Sequence, residues 1–576
     1  MRFLKHNTIT FSLIAVLLVI IDFGFDQDIL WQSIFSYVYI SVLVLEIMLI
    51  IIRLSVRKYR PHNKVLIFDL ILLVFLPPLA LNFFNLVSFH LIDADIWIYI
   101  AVFLIFFRKL FVLRFSSIGR YVNPAQIFIL SFIIIILTGT ILLLLPNATI
   151  TNISPVDALF TSTSAVCVTG LIVVDTGSYF TLFGQIIIIV LVQIGGLGIM
   201  TFTSYFSYFF KGSSSYTSQI MLKEIIKTEN IADVFKTLKK IILLTGLIEI
   251  TGAFLVYIFL KGSNMGGTPE KIFFSVFHAI SGFCNAGFST LTNSLYDPAF
   301  RFNYPLHLII AVLFITGGIG FPILFNSYKY IGHFLKNRAL PFLRKKQAVH
   351  VPWVININTR IVVFTTLILI ITGTVFFYLS EYNNTLAEHN GIGKIITAFF
   401  GAVTPRTAGF NTVDTAALNT STILIIIFLM WVGASPGSTG GGIKTSTFAI
   451  SILNFLSIAR GKNRLEIFRR EIAESSIRRA YAIITLSILT ICVSIFLVSI
   501  MEPDMEFLPV AFECFSAFST VGLSQGVTGD LGSASRIVII FTMFIGRMSM
   551  LTILVAIMKK IRFANYSYPS EDILIN

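Results

Sequence analysis

Residues 518–528 read FSTVGLSQGVT, a cluster of small hydroxyl residues and glycines inside a chain that is otherwise strongly apolar. Of its 576 residues 56% are hydrophobic and only 12% charged, a composition far from that of a soluble globular domain. Many apolar runs approach the roughly 20 residues that a helix needs to cross a bilayer. Backbone polar groups cannot be left open to lipid, so such runs must be helical. The fold class is therefore an all-α polytopic membrane protein, and the glycine-rich stretch calls for a separate reason.

Apolar segments near 11–25, 33–54, 65–85, 96–113, 126–146, 181–209, 237–260, 304–328, 360–380, 420–458, 480–500 and 535–558 give twelve candidate spans. Arg2, Lys5 and His6 before FSLIAVLLVI imitate a secretory signal, but no small-residue cleavage site follows, and the first span is read as retained. The net charge of +14 would suggest nucleic acid in a soluble protein. Here the basic residues fall in short loops, which is the positive-inside pattern, and no nucleic-acid partner is expected. With the N-terminus cytoplasmic, Arg53, Arg57, Lys58, Arg60, Arg114, Arg120, Lys239, Lys240, Arg344 to Lys346 and Arg460 to Arg479 lie inside. Asp26, Asp28, Asp93, Asp95, Glu381, Glu388, Glu502, Asp504 and Glu506 lie outside. The expected topology is multi-pass in the cell membrane, surrounded by lipid, with both termini cytoplasmic. Cys167, Cys284, Cys492 and Cys514 sit in or beside apolar segments, without a spacing that suggests a disulfide framework or a zinc site.

The opening stretch has three sisters. FTSTSAVCVTGL (160–171), FHAISGFCNAGF (277–288), FFGAVTPRTAGF (399–410) and FECFSAFSTVGL (512–523) share one frame: Gly170, Gly287, Gly409 or Gly522, a Phe ten residues earlier, and Leu or Phe next. Each lies between two spans, in an outer segment of about 15 half-apolar residues, too short to cross the membrane. The physical reading is a short helix followed by extended backbone whose carbonyls face an axis. Glycine permits the dihedrals and the close approach that this needs. Non-helical backbone at membrane depth survives only when buried in protein or lining a water-filled cavity. Four such segments would make a ring of carbonyl oxygens able to replace a cation's hydration shell, with helix C-termini adding negative potential. The candidate ion-binding residues are Val168, Thr169 and Gly170; Asn285, Ala286 and Gly287; Thr407, Ala408 and Gly409; and Thr520, Val521 and Gly522. The bland alternative is four re-entrant loops that merely pack.

Small pairs recur in the helices that follow: Gly195–Gly196, Gly317–Gly318, Gly433–Ala434, and Gly546 followed by Arg547. Small residues at this level mean close helix packing, and an arginine among them faces a cavity or a partner. The segment 420–458 is too long for one span and contains GASPGSTGGGIKT (433–445), whose glycines and proline cannot continue a helix. A phosphate-binding loop requires GxxxxGK[ST], and from Gly437 the lysine comes one position late, with Ile443 in its place. The better reading is a flexible intramembrane loop lining the cavity below the ring, made of Gly437, Ser438, Thr439, Gly440, Gly441, Gly442 and their neighbours, with Arg547 facing the same cavity.

The stretches VCVTGL (166–171), FCNAGFS (283–289), TPRTAGFNTVD (404–414) and FSTVGLSQGVT (518–528), each flanked by two spans, resemble the membrane subunit of the Trk/Ktr/HKT potassium-transport superfamily, nearest its Ktr branch. The resemblance runs over residues 121–562. It implies one chain folded as four pseudo-repeats of helix, pore loop and helix around one central pore, with K⁺ as the transported substrate held at the filter residues. It implies that 433–445 is the gate, with Ala434 a departure from the family's pattern, and that glycine rather than serine at 170 favours K⁺ over Na⁺. It also implies a homodimer and a separate cytosolic nucleotide-binding regulatory ring.

The expected division is an N-terminal four-helix bundle (1–120), repeats at 121–235, 236–357 and 358–476, and a last repeat with a short tail at 477–576. The bundle stands outside the resemblance. Glu46 and Asp69, with Arg108, Lys109 and Arg114, admit a voltage sensor, which needs arginines at every third residue; their clustering at one end reads as topology anchoring. A membrane enzyme would need clustered carboxylates or His and Cys ligands, and none is apparent, so neither catalysis nor a cofactor is expected. An alternating-access carrier would show inverted repeats. A sodium-permeable or voltage-sensing cation channel of the same pore class is the runner-up.

Overall fold

A computed structural model describes residues 2–56, 63–83, 96–112, 124–198, 234–260, 266–344, 356–462, 464–548 and 550–558. Helices dominate them, and the sheet among the described residues is a hairpin of Glu466–Ile467 and Arg470–Glu471. Helices α1 (Arg2–Gly24), α2 (Ile29–Ser55), α3 (Asn63–Phe83) and α4 (Ile96–Val112) enclose a core of their own around Leu43, Leu72, Leu76 and Ile105. Each remaining candidate span holds at least one helix: α5 (Pro124–Leu143), α7 (Leu182–Leu197), α8 (Val234–Phe259), α10 (Tyr304–Ile319), α11 (Phe321–Arg344), α12 (Ile357–Glu381), α14 (Thr420–Trp431), α15 (Thr445–Ala459), α16 (Glu474–Met501), α18 (Ser533–Met548) and α19 (Met550–Ile557).

Four helices pass a strict test of length and composition for crossing a membrane: Ile29–Ser55, Thr237–Phe259, Ile357–Glu381 and Glu474–Met501. Their outward faces suit lipid: Leu243, Leu247, Ile250 and Phe254 form a stripe on α8 that is 61–73% exposed. The expected continuous span 304–328 is corrected. It breaks at Gly320 (φ 90°), and α10 and α11 meet at a bend of 103°. Gly320 is a corner, where Phe321 N–H donates to Gly437 O at 3.1 Å.

The short helices are α6 (Pro155–Cys167), α9 (Thr268–Cys284), α13 (Gly391–Val403) and α17 (Phe507–Ser519). Thirteen residues, the length of α6, α13 and α17, rise only about 20 Å against a hydrocarbon core of about 30 Å. Two of them start on a side-chain cap: Ser154 Oγ accepts Asp157 N–H with Pro155 at the first position of α6, and Asn390 Oδ1 accepts Gly393 N–H in α13. Apolar packing then closes them into a cycle. One core joins α5–α7 to Phe277 and Phe288, the next joins Phe274 and Phe314 to Phe400 and Phe410, a third joins Phe377 and Met430 to Phe512 and Leu523, and the last joins Val510 and Met543 back to Phe160 and Leu171.

Candidate functional site

Where the four short helices end, the backbone does the same thing four times. Val168, Asn285, Thr407 and Thr520 have φ of 57°, 62°, 78° and 50°, and two residues on, Gly170, Gly287, Gly409 and Gly522 have φ of 86°, 71°, 81° and 91°. In α6, α9 and α17 the left-handed residue is the helix's own cap and ends it at once, whereas α13 ends at Val403 and reaches Thr407 through a turn. For a non-glycine the left-handed conformation costs about 1–2 kcal/mol, so four in one register mark a conformation that the surroundings impose. Hydroxyls one and a half turns back hold each bend. Ser164 Oγ and Ser516 Oγ accept the N–H groups of Gly170 and Gly522 at 3.0 and 3.1 Å, while Ser281 and Thr404 donate to the carbonyls of Phe288 and Phe410 at 2.7 and 2.6 Å.

The four bends touch in order. A Cβ placed on Gly170 would lie 2.2 Å from Ala286 O, on Gly287 2.9 Å from Ala408 O, on Gly409 2.4 Å from Val521 O, and on Gly522 2.3 Å from Thr169 O. The segments thus form a closed ring in which the carbonyl before each glycine packs on the preceding segment's glycine. All twelve candidate ion-binding residues fall within these four bends.

The helices behind it meet the bends in a repeated register. A Cβ on Gly195, Gly317 or Gly546 would clash with the carbonyl of Val166, Phe283 or Phe518, each four residues before a ring glycine. Gly433 does not follow. It packs on Gly441 O, so the expected equivalence of Gly433–Ala434 with the other small pairs is corrected: the third segment's glycine serves its own loop. That loop runs from Val432 to Lys444, closed by a bridge between Val432 and Ile443, and it lies against the ring. Thr439 Oγ1 lies 3.3 Å from both Phe283 O and the Asn285 side chain, a Cβ on Gly440 would be 2.1 Å from Thr407 Oγ1, and one on Gly441 2.2 Å from Thr520 Oγ1. Successive loop residues therefore touch the second, third and fourth segments. Ser435 N–H donates to Gly318 O at 3.0 Å, which fixes the loop's first half to α10.

Two cations secure the loop. Arg547 donates to Thr439 O and, at 2.6 Å, to Gly195 O of the first segment's helix. Lys444 Nζ donates to Gly440 O at 2.7 Å and Gly441 O at 3.3 Å. Three consecutive carbonyls are held by side-chain charge. The sequence reading chose Arg547 and missed Lys444, which entered it only as a misplaced phosphate-loop lysine. Its position at the start of α15, beyond a glycine run, was the available signal. Ser438 Oγ donates to Ser435 O within the loop, and Gly437 and Gly442, at φ 75° and 67°, are its corners.

A chain of apolar helices holding four mutually contacting backbone bends suits a membrane transport protein rather than an enzyme. Residues 95–567 match the family described as TrkH, Cation transport protein, and the chain belongs to that family. It is 36% identical over 457 residues to Ktr system potassium uptake protein B of Bacillus subtilis (strain 168), covering 78% of this chain and 96% of that one. It is 34% identical over 469 residues to Potassium/sodium uptake protein NtpJ of Enterococcus hirae, covering 80% and 99%. The crystal structure of the potassium transporter TrkH from Vibrio parahaemolyticus has the same fold, with a TM-score of 0.60 at 17% identity over 90% of this chain and 98% of that one.

Proposed function

We propose that this chain is the pore-forming subunit of a K⁺ uptake system in the cell membrane, passing ions through the four-segment ring. The observation that carries the reading is the closed cycle of four left-handed bends, each presenting a carbonyl next to the neighbouring glycine. Four pseudo-repeats of helix, pore loop and helix about one axis account for that register, and the helix C-termini beneath the bends favour a cation. K⁺ is the substrate that the names of the Bacillus and Enterococcus relatives support. The loop 432–444 is the gate, held closed by Arg547 and Lys444. Positive-inside loops orient both termini to the cytoplasm. A homodimer served by a cytosolic nucleotide-binding ring completes the reading, and the word system in the Bacillus relative's name supports a further subunit.

The full chain in liposomes, with an outward K⁺ gradient and no nucleotide, should take up radiolabelled Rb⁺ and exclude Na⁺. Uptake of neither ion by the wild type and by a variant lacking Gly437 to Gly442, both folded by size-exclusion chromatography, would sink the proposal. Equal uptake of both would favour a sodium-permeable pore, as the name of the Enterococcus relative has it for that protein.

A further inference from the structure

Nine residues before the ring glycines stand Thr161, His278, Phe400 and Glu513, all buried. Two of them, in the second and fourth segments and so diagonal across the cycle, reach the backbone beyond the ring. His278 Nδ1 lies 2.9 Å from Phe274 O and its Nε2 2.9 Å from Ser289 Oγ. A carbonyl only accepts, so this geometry assigns the proton to Nδ1 and makes Nε2 the acceptor of the Ser289 hydroxyl. Ser289 Oγ in turn accepts Leu291 N–H at 3.0 Å. In the fourth segment Glu513 Oε1 accepts the Ser524 hydroxyl, and Ser524 Oγ accepts Gly526 N–H at 2.9 Å. Glu513 Oε2 also accepts the Thr528 hydroxyl at 3.0 Å.

The two motifs coincide position by position: an acceptor nine residues before the glycine, a serine two after it, an N–H four after it. The other two segments lack the motif. Ile172 and Asn411 replace the serines, the Thr161 hydroxyl has no hydrogen-bond partner, and the Asn411 amide bonds Val413 O in its own loop. Each segment without this outer strut lies between two that have it, so the strut on one diagonal braces the whole ring.

Resting on the reading of the ring as the ion path, we propose that His278 and Glu513 are positioning residues, hydrogen-bond acceptors that pin the outer ends of two diagonal segments and so set the ring's discrimination between K⁺ and Na⁺. The strut acts through its acceptor and not through charge, since a histidine and a glutamate do the same work. The test measures Rb⁺ and Na⁺ uptake by the full chain in liposomes, per folded molecule. Glu513→Ala and His278→Ala should each lower the Rb⁺/Na⁺ ratio about fivefold, the scale of one net hydrogen bond. Glu513→Gln and His278→Gln keep an acceptor oxygen and should stay within about twofold of wild type. Thr161→Ala, at the same register without a serine to hold, should leave the ratio unchanged. If Glu513→Gln is as impaired as Glu513→Ala, charge is acting and the strut is wrong; unchanged selectivity in folded alanine variants overturns it equally. Should those variants fail to fold, Ser289→Ala and Ser524→Ala cut the same bonds from the loop side and must give the same fall in ratio. A wild type and a Gly437 to Gly442 deletion that both carry neither ion strike the ring reading itself, an outcome distinct from a selective wild type whose alanine variants match it.

Discussion

At Gly170 two constraints act on one atom. Its φ of 86° is a region where a side chain is strained, and a Cβ there would stand 2.2 Å from Ala286 O. Gly170→Ser therefore does more than add an oxygen: it pushes the first and second segments apart. The variant should insert normally and lose Rb⁺/Na⁺ discrimination in a paired uptake assay, and an unaltered ratio would take Gly170 out of the selective ring. These glycines were legible because four of them share one register with a Phe and a Leu or Phe. The left-handed Val168, Thr407 and Thr520 were not, since β-branched residues disfavour that conformation, and only the neighbouring segments impose it. Arg547 was legible as the residue that breaks a small-pair pattern; its two carbonyl partners on different segments were not. Among the described residues its hydrogen bonds go to the carbonyls of Thr439 and Gly195, and it makes no ion pair. Arg547→Ala strands no carboxylate and should raise Rb⁺ flux per folded molecule. Arg547→Lys, a point charge with no planar fork, should fall between, and a flux at or below wild type in both would refute its role in holding the loop.

Among the elements, the loop between α14 and α15 was read correctly as a break because its glycines cluster, whereas the corner at Gly320 was not: in ITGGIGFP (315–322) the glycines are spaced as in a packed helix, and Pro322, which opens α11 just past the corner, was the signal that went unused. The difference lies in what the glycine meets. Gly320 is surrounded by the loop, with Pro436 O 2.9 Å from its missing Cβ, and no pattern within α10 encodes a partner more than a hundred residues away. The same contacts let the closed loop be destabilised from one side. A methyl on Gly440 would strike Thr407 Oγ1 and one on Gly441 would strike Thr520 Oγ1, so neither variant can occupy the closed position without moving. Gly440→Ala and Gly441→Ala should both raise Rb⁺ uptake, with deletion of Gly437 to Gly442 as the upper bound. Alanine variants that fold and conduct at the wild-type rate would show that the loop does not obstruct the path.

Over the whole molecule, residues 1–120 pose the remaining question, and the structure revises how their charges are read. Arg53, Arg108 and Lys109 looked like cytoplasmic anchors; they are drawn into the bundle. Arg108 meets Asp69 through Nε and Nη2 at 2.7 and 2.9 Å, Arg53 lies 3.2 Å from Asp69 and also pairs with Glu46, and Lys109 Nζ lies 2.8 Å from Glu46 Oε2. Both acids are fully buried. Sequence alone could not pair them, because residues on three different helices come together only when the bundle packs; Arg114 lies outside the described residues. Removing one partner of such a network costs about 3–5 kcal/mol through the charge left behind, so Asp69→Asn should cut the yield of detergent-stable protein. A sensor would need α4 to slide outward and trade these partners for others. The next acid in the bundle, Asp22, lies near the far end of α1 and already accepts the Tyr99 and Tyr39 hydroxyls at 2.9 and 3.3 Å. Contacts from the bundle to the ring-bearing part lie at that same end, where Phe23 stacks on Phe183 and Asp26 accepts from the Asn147 amide. We infer from these contacts that the bundle is a docked, internally paired unit, and cutting the chain after residue 115 removes its four helices, an even number. The shortened protein should insert in the same orientation and keep the wild-type Rb⁺/Na⁺ ratio, measured at several imposed membrane potentials. A change in voltage dependence on truncation would restore the sensor, and failure to insert would make the bundle a requirement for folding.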